Sequence, residues 1–403
     1  MSALTPVSGV PSMAVDFKDP AFVQDPYPVL EEIRAAGPLV YHPELNYYMI
    51  TSYRESARVM GKAELFASDI IHFSQLFGGD TMECLDNPRH DQVRSIWSHQ
   101  FQRGTLEEQR ALVERTVEGR MEVVREKLRT DGQVNAVTLL TRAVPTIVIA
   151  NMMGVPPEYF EQFVEWSDAM GGILEARDNT TAEGLEMVRR GKQASAELND
   201  YLVKIVAERR RLGVGDDLVS LMANSDVPMS DTEVVASNTQ LVFAGNETTS
   251  KLMGYVIVAL ATHPEQREQV RLNRSLVAQA IEEAHRWTSV LVFNLRFVKN
   301  DGTPVEGVEL PEGATVMLFQ AAANRDPLRW DNPTAFDVHR PQKAHLGFGS
   351  GLHSCLGLNL ARLETEVMIN RMLDEIPDWS IAGDVSYGTN FMVRGPSDIQ
   401  LCL

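Results

Sequence analysis

Residues 230–263 constrain the fold more than any other stretch. Ser230 stands where a helix N-cap would, and Glu233 three residues on completes a capping-box pattern. No proline follows until Pro264, so one helix can run uninterrupted to about His263. That is ~32 residues, or roughly 48 Å at 1.5 Å per residue. Its middle, QLVFAGNETTSKLMGYVIVALA, is apolar nearly all round. A helix like that crosses the core of a large domain. A membrane span is the competing reading, and Asn246, Glu247 and Lys251 at its centre argue against it.

Helical periodicity dominates from Asn87 onward. Helices are expected near 89–99, 105–130, 138–153, 158–171 and 182–211, over about 275–288, and from about Cys355 to Ile376. A short helical pattern ends near Gly37-Pro38 and leads into strands at LVYHP and NYYMITS. More strands are expected in LVFNLRFVKN and TPVEGVELPEGATVMLF, and two or three in the tail 379–403. Residues 324–354 read as an irregular connection, and structureless loops this long are usually functional. The first fifteen or so residues are expected to be poorly ordered. No Gly/Ser/Pro-rich linker divides the remainder, so 16–403 reads as one large, mainly α domain.

Charge narrows the partners. With 37 Lys and Arg against 55 Asp and Glu, the net charge is −18, a poor match for nucleic acid or an anionic membrane. The three cysteines, Cys84, Cys355 and Cys402, are too few and too scattered for a disulfide framework, and a reducing, cytoplasmic setting fits. The N-terminus has no long apolar run, so neither an anchor nor a signal peptide is expected.

The segment FGSGLHSCLG, Phe348 to Gly357, is the most informative chemically. Gly349 and Gly351 permit positive φ and close backbone approach to a flat ligand. Cys355 sits where the loop enters the expected helix, and unpaired N–H groups there would stabilise a thiolate. A thiolate presented by a glycine-rich loop suits axial ligation of haem iron. A phosphate cradle also uses glycines before a helix, but GFGSGLHSC is neither a Walker motif nor GxGxxG. Zinc needs about four ligands, and only His353 is near. A loop with an inert buried cysteine is the plain alternative.

This segment matches FGxGxHxCxG, and the chain resembles the cytochrome P-450 family. Further motifs occur in that family's order: HDQVR at 90–94, AGNETT at 244–249, EAHR at 283–286, ANRDP at 323–327 and PTAFDVHR at 333–340. The resemblance implies a single triangular, α-rich domain with a smaller β-rich portion. It implies haem b (iron protoporphyrin IX) on Cys355, framed by Phe348, Gly349, Gly357 and Ala244. His90, Arg94, Arg296 and His353 would bind the propionates, which need cationic or N–H partners when buried. Glu283 and Arg286 share a helix face and would join Arg340 in a buried brace, a structural role. The chain departs from the family at Val290, where a proline is usual, and in having Glu rather than Asp in AGNETT.

Thr248 in a helix would ordinarily bond back to the carbonyl four residues earlier. The resemblance implies instead a helix opened locally where dioxygen sits, Thr248 hydrogen-bonding it and Glu247 relaying protons. The implied reaction inserts one oxygen atom of O2 into an apolar C–H or C=C bond. Too few cysteines for an iron–sulfur cluster, and no dinucleotide fingerprint, mean that electrons come from outside. The resemblance implies a ferredoxin and an NAD(P)H-oxidising reductase, acting on a monomer. A peroxide-driven peroxygenase is the enzymic alternative, and a non-catalytic haem-thiolate sensor the alternative from another class. Ile70, Ile71, Phe73, Gln240, Phe243, Ala244, Leu291, Val292, Asn294, Met392 and Val393 are the expected substrate contacts, with His72 as a further polar candidate. No Arg or Lys stands among them, so a neutral hydrophobic substrate with one or two polar anchors is expected.

Overall fold

The computed structural model describes residues 6–68, 74, 77–176, 181–213 and 215–403. Helices make up 57% of it, which makes the fold mainly α. Ten short strands lie among the described residues: β1 (Val40–His42), β2 (Tyr47–Ile50), β3 (Phe66–Ala67), β4 (Gln133–Asn135), β5 (Asn294–Val298), β6 (Thr303–Val305), β7 (Val308–Leu310), β8 (Thr315–Leu318), β9 (Ser380–Ile381) and β10 (Gln400–Cys402). The chain forms two compact units: Met1–Asp69, Glu282–Cys355 and Phe391–Arg394 in the first, the remainder in the second.

The first unit is built on a five-stranded sheet in the order β1-β2-β8-β5-β3. β2 and β8 run parallel, Tyr47 opposite Thr315 and Ile50 opposite Leu318, and the other pairings are antiparallel. Strand side chains alternate between faces. Tyr48, Ile50, Val316 and Leu318 fill one apolar cluster, and Met49 and Met317 fill another with Val40, Phe293 and Phe319. Both faces are therefore covered, which is why these strands read as continuous apolar runs rather than alternating ones.

The N-terminal stretch departs from expectation. The Tyr41 N–H donates to the Pro11 carbonyl (2.8 Å) and the Met13 N–H to the Tyr41 carbonyl (2.9 Å), so residues 11–13 pair along β1. The Val7 N–H reaches the Tyr48 hydroxyl at 3.0 Å. An edge strand offers a row of unused backbone groups, and this segment takes them up.

In the second unit the long helix runs Asp231–Thr262. Ser230 and Glu233 form the reciprocal capping box, and His263 closes the far end before Pro264. Every residue from 234 to 260 is buried except Ala244, Gly245 and Thr248. The helices Ala143–Met152, Phe160–Glu175, Ala182–Leu212 and Leu358–Glu375 pack around it, which accounts for its lack of a polar face. Among the described residues no helix is long and apolar enough to cross a membrane.

The helix expected from Cys355 begins at Leu358 instead, with Gly357 at its N-cap. The chain is still in the loop at Cys355, whose N–H donates to the Phe348 carbonyl at 2.9 Å, and the helical ladder opens with the Ala361 N–H donating to the Gly357 carbonyl at 2.9 Å.

Candidate active site

In the first unit the cysteine loop closes on itself. Gly349 donates to the Leu346 carbonyl at 2.9 Å and Ser354 to that of Gly351 at 3.1 Å. Gly349 and Gly351 have φ of +68° and +73°. A Cβ on Gly351 would lie 2.5 Å from the Met60 carbonyl oxygen, so only glycine lets the loop rest there. Cys355 is half-buried at the loop's end. The Phe348 ring meets the buried His285 edge-on, centroids 4.5 Å apart.

Two polar assemblies hold this loop and the connection before it. Asn324 accepts from the Leu346 N–H at 2.7 Å, and the Gln320 amide donates to the Leu346 carbonyl while accepting from Asn294. Below them Glu283 accepts from Arg286 at 2.7 and 2.8 Å, from Arg340 at 2.9 Å, and from the Asp337 N–H at 3.1 Å. Arg286, 1% exposed, spends its remaining donors on the carbonyls of Asn324, Pro333 and Ala335. Asn294, an expected substrate contact, gives one N–H of its side-chain amide to Gln320. Gln320 went unnoticed in the sequence because nothing local marks it.

Arg296 lies buried on β5, and His353 is half-buried. Leu291 bridges to Val393, and the Val292 N–H donates to the Met392 carbonyl at 2.9 Å, so these four expected contacts do come together. Val292 itself belongs to the apolar core beside Phe293 and Phe319.

In the second unit the helix Arg89–Ser98 carries His90 and Arg94 on one face. His90 is 1% exposed and shares a hydrogen bond with Asp91 at 2.9 Å. Burial pushes its imidazole below the usual histidine range, against the pull of Asp91. On the long helix Thr248 donates to the Ala244 carbonyl at 2.8 Å. The Glu247 carboxylate meets Lys251 at 3.0 Å, both side chains buried. The next residue back, Asn246, donates to Ser167 at 2.5 Å. Gln240 donates to Glu83 at 2.8 Å, and the rings of Phe243 and Phe77 lie 5.8 Å apart. Lys251 was legible as a partner from its i,i+4 spacing; Glu83 carried no such signal. Ile70, Ile71, His72 and Phe73 lie outside the described residues.

Cys84 is fully buried, and burial raises its thiol above the usual range. Cys402 pairs with Ser380 across two strands. Cys355 is thus the cysteine placed in a glycine loop. Among the described residues no cluster of three or more His, Cys, Asp or Glu is arranged to hold a metal.

A folded glycine loop presenting one thiol, on a mainly α scaffold, is the hallmark of a cysteine-ligated haem protein. The family model for cytochrome P450 matches residues 40–376, and the chain belongs to that family. It is 31% identical to vitamin D(3) 25-hydroxylase of Pseudonocardia autotrophica over 95% of this chain and 94% of that one. It is 29% identical to cyclomarin C epoxidase CymV of Salinispora arenicola, covering 92% and 94%. The solved structure of P450BioI with a fatty-acid-bearing acyl carrier protein superposes with a TM-score of 0.85 at 26% identity, over 95% of this chain and all of that one. The protein is a P450 monooxygenase, and its family implies a haem cofactor. The donor chemistry fits that group: a soft sulfur ligand, a loop that glycine alone permits, a buried Arg296 and a half-buried Arg94.

Proposed function

We propose that this protein inserts one oxygen atom of O2 into a C–H or C=C bond of a mainly apolar small molecule, releasing the other as water. The balance is RH + O2 + 2e⁻ + 2H⁺ giving ROH + H2O. The carrying observation is the Cys355 loop, closed by its own hydrogen bonds at 2.9 and 3.1 Å. Cys355 would ligate the iron, and Phe348, Gly349, Gly357 and Ala244 would frame the ring. Haem bound through a thiolate supplies the centre that takes up electrons and favours O–O cleavage. Arg296, His353, His90 and Arg94 would pair with the propionates; with Nδ1–H donated to Asp91, His90 can donate to a propionate through Nε2 only as the doubly protonated imidazolium.

The chain's own part in the chemistry is proton handling and exclusion of water. Thr248 Oγ1, which donates to the Ala244 carbonyl at 2.8 Å, is the hydroxyl that would turn to hydrogen-bond dioxygen held beside it. Glu247 passes it protons, and Lys251 Nζ, 3.0 Å away, keeps that carboxylate placed inside an apolar helix. Electrons come from a ferredoxin and an NAD(P)H-oxidising reductase in the cytoplasm, and 16–403 acts as one domain, as the family match across both units supports. A hydroxylase and an epoxidase among the relatives support either outcome of oxygen insertion.

The test is spectroscopic. Reduced protein with carbon monoxide should show the thiolate-type Soret band, Cys355→His should abolish it, and Cys84→Ser should keep it. A Cys355→His protein that retained the band would overturn the ligand assignment.

A further inference from the structure

Around the middle of the long helix, the second unit carries a polar seam in an otherwise apolar interior. Ser167, on the helix Phe160–Glu175, accepts from Asn246 Nδ2 at 2.5 Å. Ser250, one turn on from Asn246, shares a hydrogen bond at 3.0 Å with Thr141, just ahead of the helix Ala143–Met152. All four side chains are buried. Arg142 and Asp168, the residues that follow Thr141 and Ser167, meet at 3.6 Å with side chains 25% and 33% exposed, which brings the seam to the surface.

Hydrogen bonding at Asn246 is incomplete. The side chain is 1% exposed, and its Oδ1 has no partner among the described residues. Nδ2 keeps a second N–H beyond the one given to Ser167, and the Ser167 hydroxyl, which accepts that bond, still has its own proton to give. Donors and an acceptor therefore stand together. Turning the amide over exchanges Oδ1 and Nδ2 and leaves the same mixture. A group that only donates or only accepts matches part of it; water does both and matches all of it. Glu247 stands beside this site. Lys251 holds its Oε1 at 3.0 Å, and its Oε2 faces Gly171. A Cβ on Gly171 would meet Oε2 at 3.4 Å and, beyond its own helix backbone, nothing else within 4 Å but the carboxyl carbon, so glycine leaves room at the carboxylate. Ser167 and Gly171 share a helix face one turn apart, ~6 Å along the axis. Two hydrogen bonds of ~2.8 Å cover that distance.

We propose that Asn246 and Ser167 hold an ordered water through which Glu247 regains its proton, drawn from the seam between the helices rather than from the substrate pocket. This rests on the reading of Glu247 as a proton relay above. As the water gives a proton towards Oε2 it takes one from the outer side of the seam, so the water is unchanged and no electrons move.

The experiment compares Ser167→Thr with Ser167→Val, equal in bulk and different in one hydroxyl, in the full-length, haem-loaded protein. Asn246→Leu removes the other half of the site and carries the comparison with wild type where the position-167 variants misfold. Each variant is checked for an unchanged melting temperature and carbon monoxide spectrum. High-resolution crystal structures should show a water bonded to both Asn246 and the hydroxyl at position 167 in the wild type and in Ser167→Thr, and none in Ser167→Val or Asn246→Leu. Oxygen consumption driven by a surrogate ferredoxin and reductase, with 1-decanol as the apolar probe, should be about tenfold slower in Ser167→Val than in Ser167→Thr. It should also slow more in D2O than the wild type does, and Asn246→Leu should follow Ser167→Val. No ordered water at the site in the wild type, or equal rates and isotope effects in the two position-167 variants, would overturn the proposal. Glu247→Gln separates the two readings. If it is slow while Ser167→Val is not, the water route alone fails. If it turns over as the wild type does, the relay through Glu247 fails, and a crystallographic water between Asn246 and Ser167 leaves the binding site standing.

Discussion

The brace around Glu283 and the middle of the long helix both bury charge, and they handle it differently. Around Glu283 the donors and acceptors match: one carboxylate receives two guanidinium groups and a backbone N–H, and five carbonyls take further donors from Arg286 and Arg340. On the long helix Asn246 Oδ1 and Gln240 Oε1 are buried with no partner among the described residues, and Glu247 pairs with Lys251 at 3.0 Å. A satisfied network makes a rigid scaffold; a polar site with spare capacity can exchange partners during a reaction.

The comparison breaks first, and most visibly, at Glu283. Glu283→Ala strands two buried guanidinium groups and should cost about 3–5 kcal/mol of unfolding free energy. Arg286→Lys keeps the charge but loses the fork, and should cost less. Denaturant unfolding measures both. A loss below about 1 kcal/mol for Glu283→Ala would make the brace no better than an exposed pair.

On the helix the effect should fall on chemistry rather than stability. Thr248→Ala should still bind substrate and consume reductant, but divert oxygen to peroxide. Glu247→Gln should slow turnover by about 10²-fold with little change in substrate affinity. Product formed per reductant consumed, with peroxide assayed alongside, is the readout; an unchanged yield in Thr248→Ala removes that role.

The smallest effect sharpens the contrast within the second unit. Glu364, on the helix Leu358–Glu375, is fully buried, and burial pushes its carboxyl well above the usual range. The folded state therefore holds this proton at a pH where the unfolded chain has released it. Its contribution is present below the unfolded value of about 4.3 and is lost as pH rises towards the folded one. Glu364→Gln should raise the melting temperature by a few degrees at pH 8 and barely at pH 4. Parallel melting curves at the two pH values would show that Glu364 is not the group responsible.

What was legible in the chain was what is local. Ser230, Glu233 and Pro264 bound the long helix because caps and breakers act within a few residues. Glu283 and Arg286 announce a shared face by spacing alone. The start of the helix after the cysteine was placed three residues early, because the Phe348–Cys355 bond follows from loop closure rather than helix propensity. Glu83 was invisible, since its partner is 157 residues away. Residues 7 and 15 were read as loose for the same reason: their partners stand 41 and 27 residues further on.

That N-terminal pairing has a consequence for the molecule's behaviour in concentrated solution. With residues 11–13 in place, β1 offers no open row of backbone groups on that side. Removing the first fifteen residues would uncover an edge backed by Val40, Tyr41 and the apolar clusters beneath them. Such an edge is a template for a strand from another molecule. The trimmed chain should therefore self-associate with rising concentration, which light scattering would register, even where its folded core is intact.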